Sequence, residues 1–449
     1  MTLTDLTTPS LRADPLDGLP VAIIGAGPIG MAAAANLAER GIPFEIFEAG
    51  DSIAASIGQW GHTRLFSPWR HLVDPASRRL LEATGWAAPK EDGLPTGFEL
   101  VDAYLRPLAA LPAIADHLTT GARVTAVSRD GADRTRTSGR ERTAFLLRVT
   151  GIDGAAEIRA RAVLDASGTY RTPNSLASSG LDPLGAEEAQ EFLSHALPDV
   201  LGRERERFAG RHTIVVGAGH SAANTLLALA ELARSAPDTT ITWVIRTGSA
   251  VRVSSSPDDE LPARASIGGR LEKLVAGGQV RLVDRFETLR LRRQGDRVTL
   301  VGRRGDTLRE LTADVIVNAT GFRPDLDLLR EIRLSLDEVV EAPRRLAPLI
   351  DPNVHSCGTV RPHGFVELEH PEPGFFLAGM KSYGRAPTFL LATGYEQVRS
   401  IVAHLAGDHA AAAHVELVLP ATGVCSSSIG ESASASTSCC GPAAPSSCA

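Results

Sequence analysis

Two glycine-rich turns constrain this chain more than any other feature, because each follows an apolar strand and opens a helix. The first lies in LPVAIIGAGPIGMAAAANLAERG, with Gly25, Gly27, Pro28 and Gly30; the second lies in HTIVVGAGHSAANTLLALAELA, with Gly217, Gly219, His220, Ser221 and Ala222. Val21 to Ile24 is a continuous apolar run, the mark of a parallel strand covered on both faces. In such a turn the first glycine permits the tight bend and the second lets the backbone approach a pyrophosphate. The third, or an alanine, lets the helix pack on its strand. The helix N-terminus then offers unpaired N–H groups and a positive dipole end to the phosphates. Two such turns predict an α/β chain with two Rossmann-like nucleotide-binding domains, moving electrons between two dinucleotides.

The residue that closes the next strand separates the two sites. PFEIFEAG ends in Glu48, 23 residues after Gly25. A carboxylate there accepts hydrogen bonds from ribose hydroxyls and repels a 2′-phosphate, which favours FAD or NAD over NADP. TTITWVIRTG ends instead in Arg246, with Arg252 close by. A guanidinium holds a 2′-phosphate through charge-assisted hydrogen bonds, so the second site reads as NADPH.

Composition narrows the class. A chain of 449 residues holds two or three domains. Net charge is −7 with no long basic run, which argues against a nucleic-acid partner. The first residues lack the charged and apolar regions of a secretory signal, and no run of about 20 apolar residues suggests a membrane span. The expectation is a cytoplasmic protein acting on a small molecule without a membrane partner; a homo-oligomer is compatible with the sequence. Of five cysteines only Cys357 precedes the tail, where Cys425, Cys439, Cys440 and Cys448 lie. There is no disulfide framework in the body and no C-x-x-C anywhere.

Along the chain, a helix is expected to start near Glu99, and RVTAVSRDGADRTRTSGRERTAFLLRVTG reads as two strands joined by a polar loop. The turns DASGTY and NATGFRPD each end an apolar strand and suggest two matched hinges between domains. The strand Phe375 to Ala378 leads through Gly379-Met380 to a helix expected near Pro387 or Thr388. The Ser/Ala/Pro/Gly-rich tail cannot bury a core and is expected to be disordered.

With GAGPIG, Glu48, GAGHSA with Arg246, DASGTY, NATGFRPD and GFFLAGM in this order, the chain resembles the flavin-containing monooxygenase-like two-dinucleotide flavoproteins over about residues 19–410. The resemblance implies an NADPH domain inserted into a split FAD domain. The parts are then an arm (1–18), a first FAD-binding part (19–190), the NADPH domain (191–321), a second FAD-binding part (322–420) and the Cys-containing tail (421–449). Gly25, Gly27, Pro28, Gly30 and Glu48 would hold FAD, with Gly379 and Met380 at the late strand. Gly217, Gly219, His220, Ser221, Ala222 and Arg246 would hold NADPH. Gln59, Trp60, His62 and Phe66 would lie near the isoalloxazine. The activity implied is an NADPH-dependent monooxygenase that uses O2, with a flavin C4a-(hydro)peroxide oxygenating a soft nucleophile or a carbonyl. Two alternatives stay open: a reductase or oxidase without an internal dithiol, and a non-catalytic nucleotide-bound sensor or metalloid carrier.

Three departures stand out. The F-x-G-x-x-x-H fingerprint before the second turn is not intact, Gly379-Met380 replaces the Gly-Asp of many relatives, and the C-x-x-C of thioredoxin-reductase relatives is missing. The Cys-Cys-Gly step of the tail resembles flavin monooxygenases associated with arsenic resistance. That resemblance implies Cys425, Cys439, Cys440 and Cys448 as thiolate ligands for a soft metalloid.

Overall fold

A computed structural model describes residues 15–248, 262–352, 360, 362–387 and 389–417. Most of the N-terminal arm, Arg252, Cys357, Thr388 and the four tail cysteines lie outside the described residues.

The chain opens with β1 (Val21–Ile24), α1 (Pro28–Glu39), β2 (Phe44–Phe47), α2 (Ala55–Trp60), α3 (Pro75–Glu82) and β3 (Leu118–Thr119). A meander follows, of β4 (Arg123–Arg129), β5 (Phe145–Gly151) and β6 (Gly154–Ala160), and then β7 (Ala162–Asp165). The second unit holds β8 (Leu193–Ser194), β9 (His212–Val216), α4 (His220–Ser235), β10 (Thr240–Val244), α5 (Pro262–Ala276) and β11 (Arg281–Val283). It ends with β12 (Glu287–Gln294), β13 (Arg297–Arg304), β14 (Thr307–Ala313) and β15 (Val315–Asn318); β16 (Phe375–Leu377) and α6 (Leu391–Leu405) follow.

Two parallel sheets result, ordered β16-β7-β1-β2-β3 and β11-β10-β9-β15-β8, and each unit carries a three-stranded antiparallel sheet besides. The second sheet is complete before β16 joins the first, so one α/β unit is inserted into the other. Parallel pairing demands crossovers that cover both faces, which is why β1 and β7 are buried at every position. Helix α1 is rich in alanine and buried from Ile29 to Leu37, so it fits close between the first sheet and α6.

Local expectations fare unevenly. The segment expected to turn helical near Glu99 starts at Gly97, because Thr96 and Glu99 form a reciprocal capping box. The late helix starts at Leu391 rather than at Pro387 or Thr388. Residues 379–383 form a short 3-10 turn first, and Gly384 at φ +56° redirects the chain after it. No helix among the described residues is long and apolar enough to cross a membrane.

One packing contact is pH-dependent. Asp74 caps α3, accepting from the Ser77 N–H at 2.8 Å and the Ser77 hydroxyl at 3.0 Å. It is 2% exposed, and burial pushes its carboxyl from 3.8 up to about 6. The folded state therefore holds this proton more tightly than the unfolded chain does. The associated stability is present below pH 3.8 and is lost as pH rises through about 6. Asp74→Asn keeps a capping oxygen and removes the charge. In urea melts the variant is expected to gain about 3 kcal/mol relative to the parent as pH rises from about 3 to about 7. Parallel stability curves would show that Asp74 ionises without cost.

Candidate dinucleotide site

The first turn is shaped by backbone crowding. Gly25 has φ +96°, and a Cβ there would lie 3.0 Å from both the Ala166 carbonyl oxygen and Ser167 Cα. A Cβ at Gly30 would collide with the Gly25 carbonyl oxygen, so the helix can sit this close to the strand only with glycine. Gly27 differs: a Cβ there would meet nothing within 4 Å. It faces open space at the start of α1, whose N-terminus has no side-chain cap and no acidic residue in its first turn. Those are the features of a backbone cradle for a phosphate. Glu48 is held beside it, with Oε2 accepting from the Ala26 N–H and Oε1 from the Gly50 N–H, both at 2.8 Å. Each carboxylate oxygen keeps a lone pair for a ribose hydroxyl.

The second turn repeats this construction. Gly217 has φ +137°, and a Cβ there would collide with the Ala319 carbonyl oxygen. Gly219 faces open space at the start of α4, which again lacks a side-chain cap, and Ala222 is fully buried where Gly30 stands in the first turn. The Trp243 indole N–H donates to the Gly217 carbonyl at 2.7 Å and braces the bend. Arg246 lies exposed just beyond the end of β10, on the side where this turn opens.

The loop after α2 joins the two turns. Ala54 starts α2 at φ +51°, and its N–H donates to the Ala26 carbonyl at 3.0 Å, which hangs the helix from the first turn. Trp60 and Phe66 then face His220 and Ser221 across a cleft of about 150 Å3. The Phe66 and His220 rings lie 5.1 Å apart. Gln59 is exposed and touches Arg203 through its carbonyl, outside the cleft lining. His62 is half-buried, with Nδ1 buried and unpartnered. Trp60 and Phe66 thus reach the start of α4, the helix behind the second turn.

Residues 146–356 match the pyridine nucleotide-disulphide oxidoreductase family, and residues 23–79 match the NAD(P)-binding Rossmann-like domain. The indole-3-pyruvate monooxygenase YUCCA1 of rice (Oryza sativa subsp. japonica) is 30% identical over 202 residues, which are 44% of this chain and 42% of that protein. The match therefore spans less than half the length of that curated relative. Among solved structures, the bacillithiol disulfide reductase of Bacillus cereus superposes with a TM-score of 0.64 at 21% identity, over 87% of this chain and 99% of that one. The ornithine N-hydroxylase of Kutzneria sp. 744, solved with reduced FAD, NADP+ and L-ornithine, gives a TM-score of 0.59 at 19% identity, over 86% of this chain and 99% of that one.

The chain has the two-dinucleotide-binding flavoprotein fold.

Within this flavoprotein fold, several polar residues near the first turn escaped sequence reasoning. Lys381 and Asp165 are both fully buried and pair at 2.6 Å, and the Lys381 ammonium also donates to the Ser167 hydroxyl at 3.0 Å. Gly379, at φ +69°, donates its N–H to the Gln397 side-chain oxygen at 2.8 Å. The Gln397 amide nitrogen lies 2.9 Å from both the Ser382 hydroxyl and the His363 ring. Met380 is half-buried beside this network. The only available signal was a lysine within an apolar late segment, and nothing in the sequence named its partner. Among the described residues no group of three or more His, Cys, Asp or Glu is arranged to hold a metal ion.

The buried pair generates a stability test. Lys381→Met leaves the Asp165 carboxylate buried without its cation and is expected to cost about 3–5 kcal/mol in denaturant melts. Adding Asp165→Asn keeps an acceptor for Ser167 and is expected to recover most of that loss. A single variant as stable as the parent would show that Asp165 finds compensation elsewhere.

Proposed function

We propose that this protein is an NADPH-dependent FAD monooxygenase that oxygenates a soft nucleophile or a carbonyl in a small molecule. The observation that carries the reading is the opposite charge at two otherwise matched turns, Glu48 at the first and Arg246 at the second, with a cleft between Trp60 and Phe66 and the start of α4. The names of two similar proteins point the same way, while that of the bacillithiol disulfide reductase fits the reductase alternative. One is a monooxygenase, and another is an N-hydroxylase solved with reduced FAD and NADP+.

The residues fit both groups. The open cradle at Gly27 would take the FAD pyrophosphate, and Glu48 would take the adenosine ribose hydroxyls, oriented by the Ala26 and Gly50 amides. Gly219 and the uncapped start of α4 would take the NADPH pyrophosphate, and Arg246 the 2′-phosphate. When bound, the flavin supplies hydride acceptance from NADPH and the activation of O2. The chain supplies position and dryness. Trp60, Leu65 and Phe66 line the cleft with apolar surface against His220, and Leu197 closes one side at φ +59°. Exclusion of water there strengthens every electrostatic contact inside. The absence of a C-x-x-C leaves a disulfide-reductase reading without an internal dithiol.

The test is spectroscopic and kinetic. Purified protein, reconstituted with FAD if needed, is expected to show a bound-flavin spectrum, to consume about one equivalent of NADPH per flavin without oxygen, and to turn over repeatedly only with oxygen present. Failure to retain flavin would overturn the reading. Equal turnover without oxygen, given an added quinone or disulfide, would favour a reductase.

The arsenic link rests on the four tail thiols, whose softness suits trivalent arsenic. Deletion of residues 421–449 is expected to leave flavin content unchanged and to lower binding of arsenite measured by equilibrium dialysis. Unchanged binding would remove the tail from the proposal.

A further inference from the structure

The cationic end of the second sheet is built from two strands. We propose that Arg285 is a second guanidinium of the 2′-phosphate site, acting beside Arg246; this rests on the NADPH reading above. Beyond β10 the chain stays paired with the segment that follows β11. The Ile245 N–H donates to the Val283 carbonyl at 3.0 Å, and the Phe286 N–H donates to the Ile245 carbonyl at 3.1 Å. The Arg285 N–H donates to the Thr247 carbonyl, also at 3.1 Å. This pairing brings Arg246 and Arg285 to the carboxyl ends of neighbouring parallel strands, the end at which the Gly217 turn opens.

The side chain of Arg285 then turns over the segment that follows Arg246. Its guanidinium lies over Gly248, two residues past Arg246: a Cβ at Gly248 would come within 3.2 Å of both Arg285 Nε and Nη2. Glycine at this position leaves room for the guanidinium to cross the strand end. The backbone of Arg285 is at φ +50°, a left-handed conformation that glycine or asparagine adopts more cheaply. An arginine held there at a strand end, where ligands of such sheets bind, points to a use for its charge.

The local charge suits a dianion. Asp284 forms an ion pair with Arg304 and lies 3.4 Å from Arg285 Nη1. Among the described residues that carboxylate is shared by two arginines, Arg285 and Arg304, with Arg246 at the end of the neighbouring strand. Arg285 is 68% exposed in its side chain and free to reorient toward a phosphate. A 2′-phosphate uses two guanidiniums, whereas the 2′-hydroxyl of NADH uses neither.

Arg285→Gly tests this without a folding penalty, because it removes the guanidinium and relieves the backbone. Calorimetric titration of the full chain with adenosine 2′,5′-bisphosphate and with 5′-AMP reads the phosphate contact directly. Arg285→Gly is expected to weaken adenosine 2′,5′-bisphosphate at least about tenfold, leave 5′-AMP unchanged, and keep the parent melting temperature or raise it. Arg246→Ala is expected to act in the same direction. If Arg246→Ala removes the preference and Arg285→Gly keeps it, the Arg285 assignment falls and the NADPH reading stands. If the parent binds both nucleotides equally, the two fall together.

Discussion

Each dinucleotide turn exists because its first glycine lies against the backbone of a second, small-residue turn. Gly25 packs on Ala166 and Ser167, and Gly217 packs on Ala319, at distances that leave no room for a larger residue to settle. The supporting turns are themselves built alike. At the end of β7, Asp165 accepts from the Ser167 hydroxyl at 2.6 Å; at the end of β15, Asn318 accepts from the Thr320 hydroxyl at 2.7 Å. Each is a side-chain-closed turn that bends the chain off its strand without a hairpin. The two units thus repeat one device, an open phosphate cradle pressed against an Asx-closed strand end.

The same device makes the connection between units. From these turns the chain crosses twice, and the two crossings pair. The Asn174 N–H donates to the Gly321 carbonyl at 2.9 Å, and the Arg323 N–H donates to the Thr172 carbonyl at 3.0 Å. The Asn318 amide and the Thr320 hydroxyl both reach the Asn174 carbonyl. Tyr170, His195 and Phe322 stack over this short ribbon, with ring centroids 4.4 to 5.6 Å apart. The paired crossing and the ring stack tie the two units together at this point.

What the sequence disclosed follows from range. The glycine spacing and Glu48 are set within one strand–turn–helix unit, so spacing alone exposed them, although the turns that Gly25 and Gly217 pack against lie far along the chain. Lys381 and Asp165 are 216 positions apart, and Arg129 and Glu372 are 243 apart. No local pattern announces such pairs. Glu372 shows what they do. Burial raises the cost of its charge, hydrogen bonds from Arg140 and Arg129 outweigh that, and its carboxyl is held below the ordinary range. It ties the β4 end and the 330s loop to the segment leading into β16, through Arg129, Arg140 and the Arg333 N–H. The start of α6 was misplaced for a related reason. Pro387 satisfies the local rule for a first turn, but the turn at 379–383 is held by Gln397 and Ser382, and the helix begins only after that constraint is met.

Side-chain caps close some helix starts and leave others open. Helix α3 is closed by Asp74, the segment at Gly97 by Thr96 with Glu99, and the short helix at His409 by Asp408. The two helices behind the glycine turns have no such cap, nor have α2 and α6, although an uncapped start forgoes about 1 kcal/mol; what marks the two is the open space beside Gly27 and Gly219. Asp or Ser at Gly27 or Gly219 would close those N–H groups and fill the space beside them. The chain leaves both unsatisfied from within, so a bound anion contributes there what a side chain contributes elsewhere. A ligand held at 100 times its Kd adds about 2.7 kcal/mol to folding stability, which exceeds the forgone caps. On the proposed reading, phosphates at Gly27 and Gly219 would complete two helix starts beside which glycine leaves open space.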